Sequence, residues 1–199
     1  MGPSFGSRGW IGAWSPGIGD PTVLGWVTTA AYLIAVSLCF DVSRLMCRRT
    51  HEVARERRLW LFQAIFLLGL GVNKQLDFQT ALTEMGRMVA RSNGWYERRL
   101  PIERGFIFGV ALTAVALALA LGVWVLRSSW PARVGVVGTG ILMGFVVMRA
   151  ASFRHLDVGR VSGSLIAGHA WIAELGGIAT VLAAALVRRR DLRRAARPP

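Results

Sequence analysis

The sequence predicts an all-α integral membrane protein, a five-helix transmembrane bundle with an amphipathic extracytoplasmic helix after the second span. Three observations lead there. Of 199 residues, 53% are hydrophobic and 18% charged, with two Cys. A disordered chain would be poor in Leu, Ile, Val and Phe, and a small secreted disulfide domain would be rich in Cys, so both classes are excluded. Long apolar runs with few internal charges recur along the chain, which is what a bilayer selects. None alternates with the two-residue period of a strand, and a segment in lipid must satisfy its own backbone, so each run reads as a helix.

The elements follow in order. Residues 1–21 form a Gly/Pro/Ser-rich tail without the charged start and small-residue cleavage site of a secretory signal, and are expected to be retained and loosely ordered. Trp10, Trp14 and Trp26 suit the membrane interface. Spans are expected at about 22–40, 59–78, 105–126, 134–153 and 161–187, all within one transmembrane domain over 22–187. Residues 188–199 form a basic tail. Between the second and third spans, at 100° per residue, Asn73, Asp77, Thr80, Glu84, Arg87 and Arg91 share one stripe, opposite Phe78, Ala81, Leu82, Met85 and Val89. This predicts an amphipathic helix over about 73–92, supported by Glu84 and Arg87 at i,i+3. Ser92, Asn93 and Gly94 supply its stop, and Trp95 and Tyr96 an interfacial aromatic pair.

The net charge of +13 is carried almost entirely by arginine. With five spans, the segments 41–58, 127–133 and 188–199 hold 14 Lys and Arg, and the segments on the opposite side hold 10. The positive-inside rule then places the N-terminus outside and the C-terminus cytoplasmic. A four-span arrangement, with one short run lying in the interface, is the alternative. Gly105 with Gly109 and Gly140 with Gly144 recur at four-residue spacing, which allows close helix approach within the bundle or, less simply, a dimer face.

Two runs are too short for the membrane, and that locates a candidate site. At ~1.5 Å per residue, Leu59 to Val72 covers only ~21 Å of a ~30 Å hydrocarbon core, so Asn73, Lys74 and Asp77 must complete the crossing. The same rise puts Arg149 at ~23 Å along the fourth run, with Arg154 and His155 near ~30 Å, and Glu174 and His169 at ~20 and ~27 Å along the fifth. Three helices thus bring ionisable groups to one level in the outer half of the membrane. Isolated charges there cost roughly 2.5 to 3.5 kcal/mol each on insertion scales, so they should face one another or a wet cavity. Lys74, Arg149 and Arg154 are the cations available to Asp77, Asp157 and Glu174. The candidate polar layer is therefore Asn73, Lys74, Asp77, Glu84, Arg87, Arg149, Arg154, His155, Asp157, His169 and Glu174, and the alternative is a salt-bridge cluster that only fixes helix register.

Recognisable chemistry is sparse. His155, Asp157, His169 and Glu174 are the weak candidates for a metal, since two His and a carboxylate suffice for catalytic zinc, but His169 and Glu174 at i+5 point ~140° apart. Ser152 and Ser164 lie near these histidines without a Gly-x-Ser-x-Gly elbow. A haem between His155 and His169 has no accompanying motif, so no cofactor is favoured. His51, Glu52 and Glu56 resemble the start of a zinc-protease helix without its second His, and read as a solvated charge run. Cys39 and Cys47 make no Cys-x-x-Cys pattern and read as packing residues. The basic runs 44–58 and 188–197 fit anionic lipid head groups, at roughly 1 kcal/mol per residue. Membrane lipids and other membrane-protein subunits are the expected partners; nucleic acid is not, for want of a reading module.

The strings GVNKQLDFQTALTEMGRMVARSNGWYERR (Gly71 to Arg99), RAASFRHLD (Arg149 to Asp157) and AELGGI (Ala173 to Ile178) resemble those of an uncharacterised family of small bacterial polytopic membrane proteins, over most of the chain from the first span onward. In that family two adjacent histidines stand where this sequence has Arg154 and His155, so a role needing both is not implied here. The resemblance implies a polytopic fold in a bacterial inner (plasma) membrane and no particular activity. Its strings coincide with the polar layer. The expected function is an accessory, assembly or ligand-binding component, more in keeping with a non-enzyme. The alternatives are an intramembrane metal-dependent hydrolase using His155, Asp157, His169 and Glu174, or a small transporter, for which no inverted repeat is visible.

Overall fold

The computed structural model describes residues 10–11, 14–15, 17–47, 51–92, 99–152 and 163–196; within these, side chains are described except at 51–53, 78–79, 82–83, 87, 90–91, 99–104, 106–107, 150–152 and 163–170. Among the described residues six helices follow one another: α1 (Val23–Met46), α2 (His51–Leu76), α3 (Phe78–Ser92), α4 (Arg99–Val125), α5 (Trp130–Ser152) and α6 (Gly163–Arg194). Five of them, all but α3, contain a stretch long and apolar enough to cross a membrane. The expected all-α bundle of five spans is therefore the fold.

The helices run longer than the apolar runs that announced them. α2 begins at His51 instead of residue 59, and α6 continues to Arg194, so most of the basic C-terminal segment is helical. Arginine is a good helix former, and lipid is not needed to propagate a helix once its apolar part is packed. The amphipathic helix is also divided. α2 ends at Leu76, Asp77 adopts φ +46°, and α3 starts at Phe78. Asp is among the few residues that tolerate this left-handed conformation, and its carboxylate accepts the Thr80 hydroxyl at 2.6 Å while its carbonyl accepts the Thr80 amide at 3.0 Å.

The packed heart of the bundle is α1, α2, α5 and α6, with α5 against α6 and α1 against α2 the closest pairs. Tyr32, Trp60, Leu67, Leu142, Ile178 and Val181 are among its fully buried side chains. The end where α1 begins is called the near end here, and the opposite end the far end. α4 packs chiefly on α5. Its buried residues, Leu121 and Val125, lie toward the far end, while Phe108, Leu112 and Val115 are exposed. An apolar cleft of about 430 Å³, lined by Phe66, Leu70, Gly109, Thr113 and Met143, separates it from α2 and α5.

Close helix approach occurs at glycines other than those expected. A Cβ at Gly138 would lie 2.8 Å from Val181 Cγ2 and 2.9 Å from the Gly177 carbonyl, and one at Gly177 would lie 2.7 Å from Leu142 Cγ. By contrast, a Cβ at Gly105, Gly109, Gly140 or Gly144 would meet nothing within 4 Å. Residues i and i+4 share a helix face; Gly140 and Gly144 sit on a face of α5 turned away from α6, and Gly109 of α4 borders the open cleft. The sequence spacing alone could not say which small-residue face was inside.

Candidate functional site

At the near end, charged and polar groups from α1, α2 and α6 converge on Glu174. This residue of α6 is 3% exposed. Its Oε2 receives Lys74 Nζ of α2 at 2.9 Å, and its Oε1 receives the Tyr32 hydroxyl of α1 at 3.2 Å. Gly71 makes room for the tyrosine: a Cβ there would lie 3.1 Å from Tyr32 Cβ. Arg149 lies in the last turn of α5, at the same end of the bundle. Three helices therefore contribute to one polar centre, and ionisable groups among spans are tolerated when they face one another in this way.

The segment before α1 closes over this centre. The Gly19 amide donates to the Gln75 carbonyl at 2.6 Å, one of the carbonyls left free where α2 ends at Leu76. Asp20 then reaches Lys74, Oδ2 to Nζ 3.5 Å, giving that ammonium a second carboxylate. Asp20 Oδ1 also accepts the Thr22 hydroxyl at 2.6 Å, and Thr22 Oγ1 in turn accepts the Gly25 amide at 3.0 Å as the N-cap of α1. The Thr22 hydrogen bond holds the Asp20 carboxyl below its ordinary pKa against the opposing effect of burial, and the Lys74 charge adds to the lowering. Beside this strap, Gln75 Nε2 donates to Thr29 Oγ1 at 2.8 Å, while Gln75 Oε1 is buried without a hydrogen-bond partner.

The predicted layer is thus partly assembled. Lys74 and Glu174 meet directly, and Arg149 lies in the last turn of α5. Asp77 does not pair with Lys74; it starts α3. Asn73 is half-buried on α2, one turn before the break at Asp77, and its carbonyl accepts the Asp77 amide at 3.0 Å. Glu84 is half-buried on α3, a helix that packs chiefly on α2. Arg87 and His169 lie on α3 and α6 with side chains outside the described set, and Arg154, His155 and Asp157 lie outside the described residues. Among the described residues no group of three His, Cys, Asp or Glu could hold a metal ion. Both Glu174 oxygens are already engaged by Lys74 and Tyr32.

Tyr32, Asp20, Gln75 and Gly19 were not expected in the layer: Gly19 and Asp20 precede the first apolar run, and Tyr32 and Gln75 carry no charge that demands a partner in lipid. One signal was present. Lys74 is the single lysine of the chain, against 23 arginines. Where arginine serves every other cationic position, the one ammonium marks a site with different needs: a compact charge with three donors, which suits two carboxylates better than a planar fork does.

The far end carries a second buried cluster, and it corrects the reading of Glu56 as part of a solvated run. Glu56 of α2 is 7% exposed. It pairs with Arg188 of α6 at 2.8 Å, accepts the Ser129 hydroxyl at 2.6 Å from the α4–α5 turn, and accepts Trp60 Nε1 at 3.3 Å. Asp41 of α1 adds ion pairs to Arg189 and Arg193 of α6. Glu56 with Trp60 at i+4 was the local sequence sign that this carboxylate faces inward.

The fold and the near-end centre together define a polytopic α-helical membrane protein with a charged cluster buried among its helices. No protein-family model, curated protein or solved structure matches the chain.

Proposed function

We propose that the protein is a binding or assembly component of a bacterial inner membrane, with its near end facing outward and the cluster around Glu174 as its recognition site. One observation supports this above the others: Lys74, with its side chain 12% exposed, is shared between Glu174 on α6 and Asp20 on a segment outside the helices. A pair that only fixed register would need one acid for one base, and apolar packing would do the same work at lower desolvation cost. Ionisable groups inside spans also mark functional sites more often than not.

The test is mild purification of wild type, Glu174→Gln and Lys74→Gln from native membranes, with co-purifying lipids and proteins identified by mass spectrometry. The expected result is loss of the same bound component from both variants while their helical content and melting remain those of a folded bundle. Retention of every component in both folded variants would overturn the reading.

A further inference from the structure

We propose that the segment 17–22 is a lid over the Lys74 site and that Asp20 stands in, as a tethered group, for the carboxylate of an external ligand. The inference rests on the reading of the near-end cluster as a recognition site and names its ligand class. The segment is shaped for docking in two places. At Gly19 a Cβ would lie 3.0 Å from the carbonyl oxygens of both Lys74 and Gln75 and 3.1 Å from Asp77 Cβ, so any side chain would push the segment off the end of α2. At Gly25, on the first turn of α1, a Cβ would lie 2.6 Å from Asp20 Oδ1, so only glycine lets the carboxylate fold back over the helix.

The contacts the lid makes are unequal. Glu174 holds Lys74 at 2.9 Å and has its side chain 4% exposed, whereas Asp20 stands at 3.5 Å with its side chain 32% exposed. The inner carboxylate is fixed by the bundle and the outer one is accessible and removable. When Asp20 swings away, Lys74 keeps Glu174 alone, while Asp77 stays committed to Thr80 of α3. A carboxylate arriving from the near end would take the second contact on the Lys74 ammonium that Asp20 makes in the closed form. Gln75 beside it offers a buried amide oxygen with an open hydrogen-bonding position for a ligand hydroxyl or amine.

The single lysine makes the test specific. Full-length wild type, Asp20→Asn and Gly19→Ala, reconstituted in nanodiscs, are treated with a membrane-impermeant amine-reactive ester, and peptide mapping separates Lys74 from the α-amine. Reactivity follows the population of the open form, so both variants should label Lys74 faster than wild type, by up to about fivefold. Acetate should then protect Lys74 in Asp20→Asn if the ligand is soluble, and oleate in the nanodisc if it is a lipid acid; either outcome supports the stand-in and identifies its source. Labelling at the wild-type rate in both variants would overturn the lid. Faster labelling with protection by neither acid would overturn the ligand class, while loss of a co-purified component from Glu174→Gln would still stand for the site itself.

Discussion

The two ends of the bundle solve the same electrostatic problem differently. Each buries a glutamate against a cation with α6 as one partner, Glu174 with Lys74 at the near end and Glu56 with Arg188 at the far end. At the far end the glutamate is also bonded by Ser129 and Trp60, so three elements are tied by one carboxylate, and Asp41 with Arg189 ties in a fourth. All of those partners belong to helices or to the tight α4–α5 turn. At the near end one cation has two acids, and one of the acids comes from outside the helices. Arginine, always charged and planar, fits a permanent lock; lysine, a compact charge that can be re-partnered, fits a site whose contacts change. The far end reads as the clamp of the bundle and the near end as its adjustable part.

The largest effect should come from breaking the clamp. Glu56→Ala removes the acceptor of Ser129 and Trp60 and leaves Arg188 without its buried partner, a loss of about 3–5 kcal/mol by analogy with other broken buried pairs. Thermal unfolding in detergent would measure it. A loss no greater than that of Glu174→Gln would erase the distinction between the ends. Glu174→Gln should cost less, about 2 kcal/mol, because the amide keeps the shape and can still accept from Tyr32, and Asp20 remains to neutralise Lys74. The double variant Asp20→Asn with Glu174→Gln removes that fallback, and its loss should exceed the sum of the two singles.

Between the ends lies the α5–α6 crossing, which carries α6 from one cluster to the other. Gly138→Ala should destabilise by about 1–2 kcal/mol, since the new methyl meets the Gly177 carbonyl and the Val181 backbone and not only a flexible side chain. Gly144→Ala, with open space around it, should be neutral or slightly stabilising through helix propensity. Equal melting shifts for the two would contradict the packing described for this crossing and leave the ends without a rigid connection.

How much of this was legible in the sequence depended on the physics in question. The five spans follow from composition and periodicity, because burial in lipid acts on every residue of a run at once. The Lys74–Glu174 contact was half visible: depth arithmetic placed Lys74, Arg149 and Glu174 at one level, yet gave Lys74 no single partner, and Asp77 went instead to the start of α3. Depth along a helix axis is set by a fixed rise, whereas direction around the axis is set by which helices are neighbours, and that is a tertiary fact. The same gap explains Gly138 and Gly177 in place of Gly105 and Gly140. Tyr32 was missed because a tyrosine interrupts an apolar run only mildly, and Gln75 because an uncharged amide does not demand a partner in lipid as an ion does. Glu56 was misread because a charge run looks solvated until a helix long enough to bury its first turns is packed against it.

The smallest effect tests the adjustable end most directly. The Asp20 carboxyl is held below its ordinary value of 3.8 in the folded protein, first by the Thr22 hydrogen bond and then by Lys74. A depressed acid contributes stability that is present above the unfolded pKa and is lost as pH falls through the folded one. The docked lid should therefore be fully stabilised at neutral pH and weaken only in acid, below about 4, by less than about 1 kcal/mol for a pair this exposed. Comparing melting of wild type and Asp20→Asn from pH 7 to pH 3 isolates the contribution: the gap between them should be constant near neutrality and close as the acid limb is reached. A gap that widens on acidification, or none at any pH, would mean that Asp20 adds nothing to the near end and that Lys74 belongs to Glu174 alone, which would make the two ends alike after all.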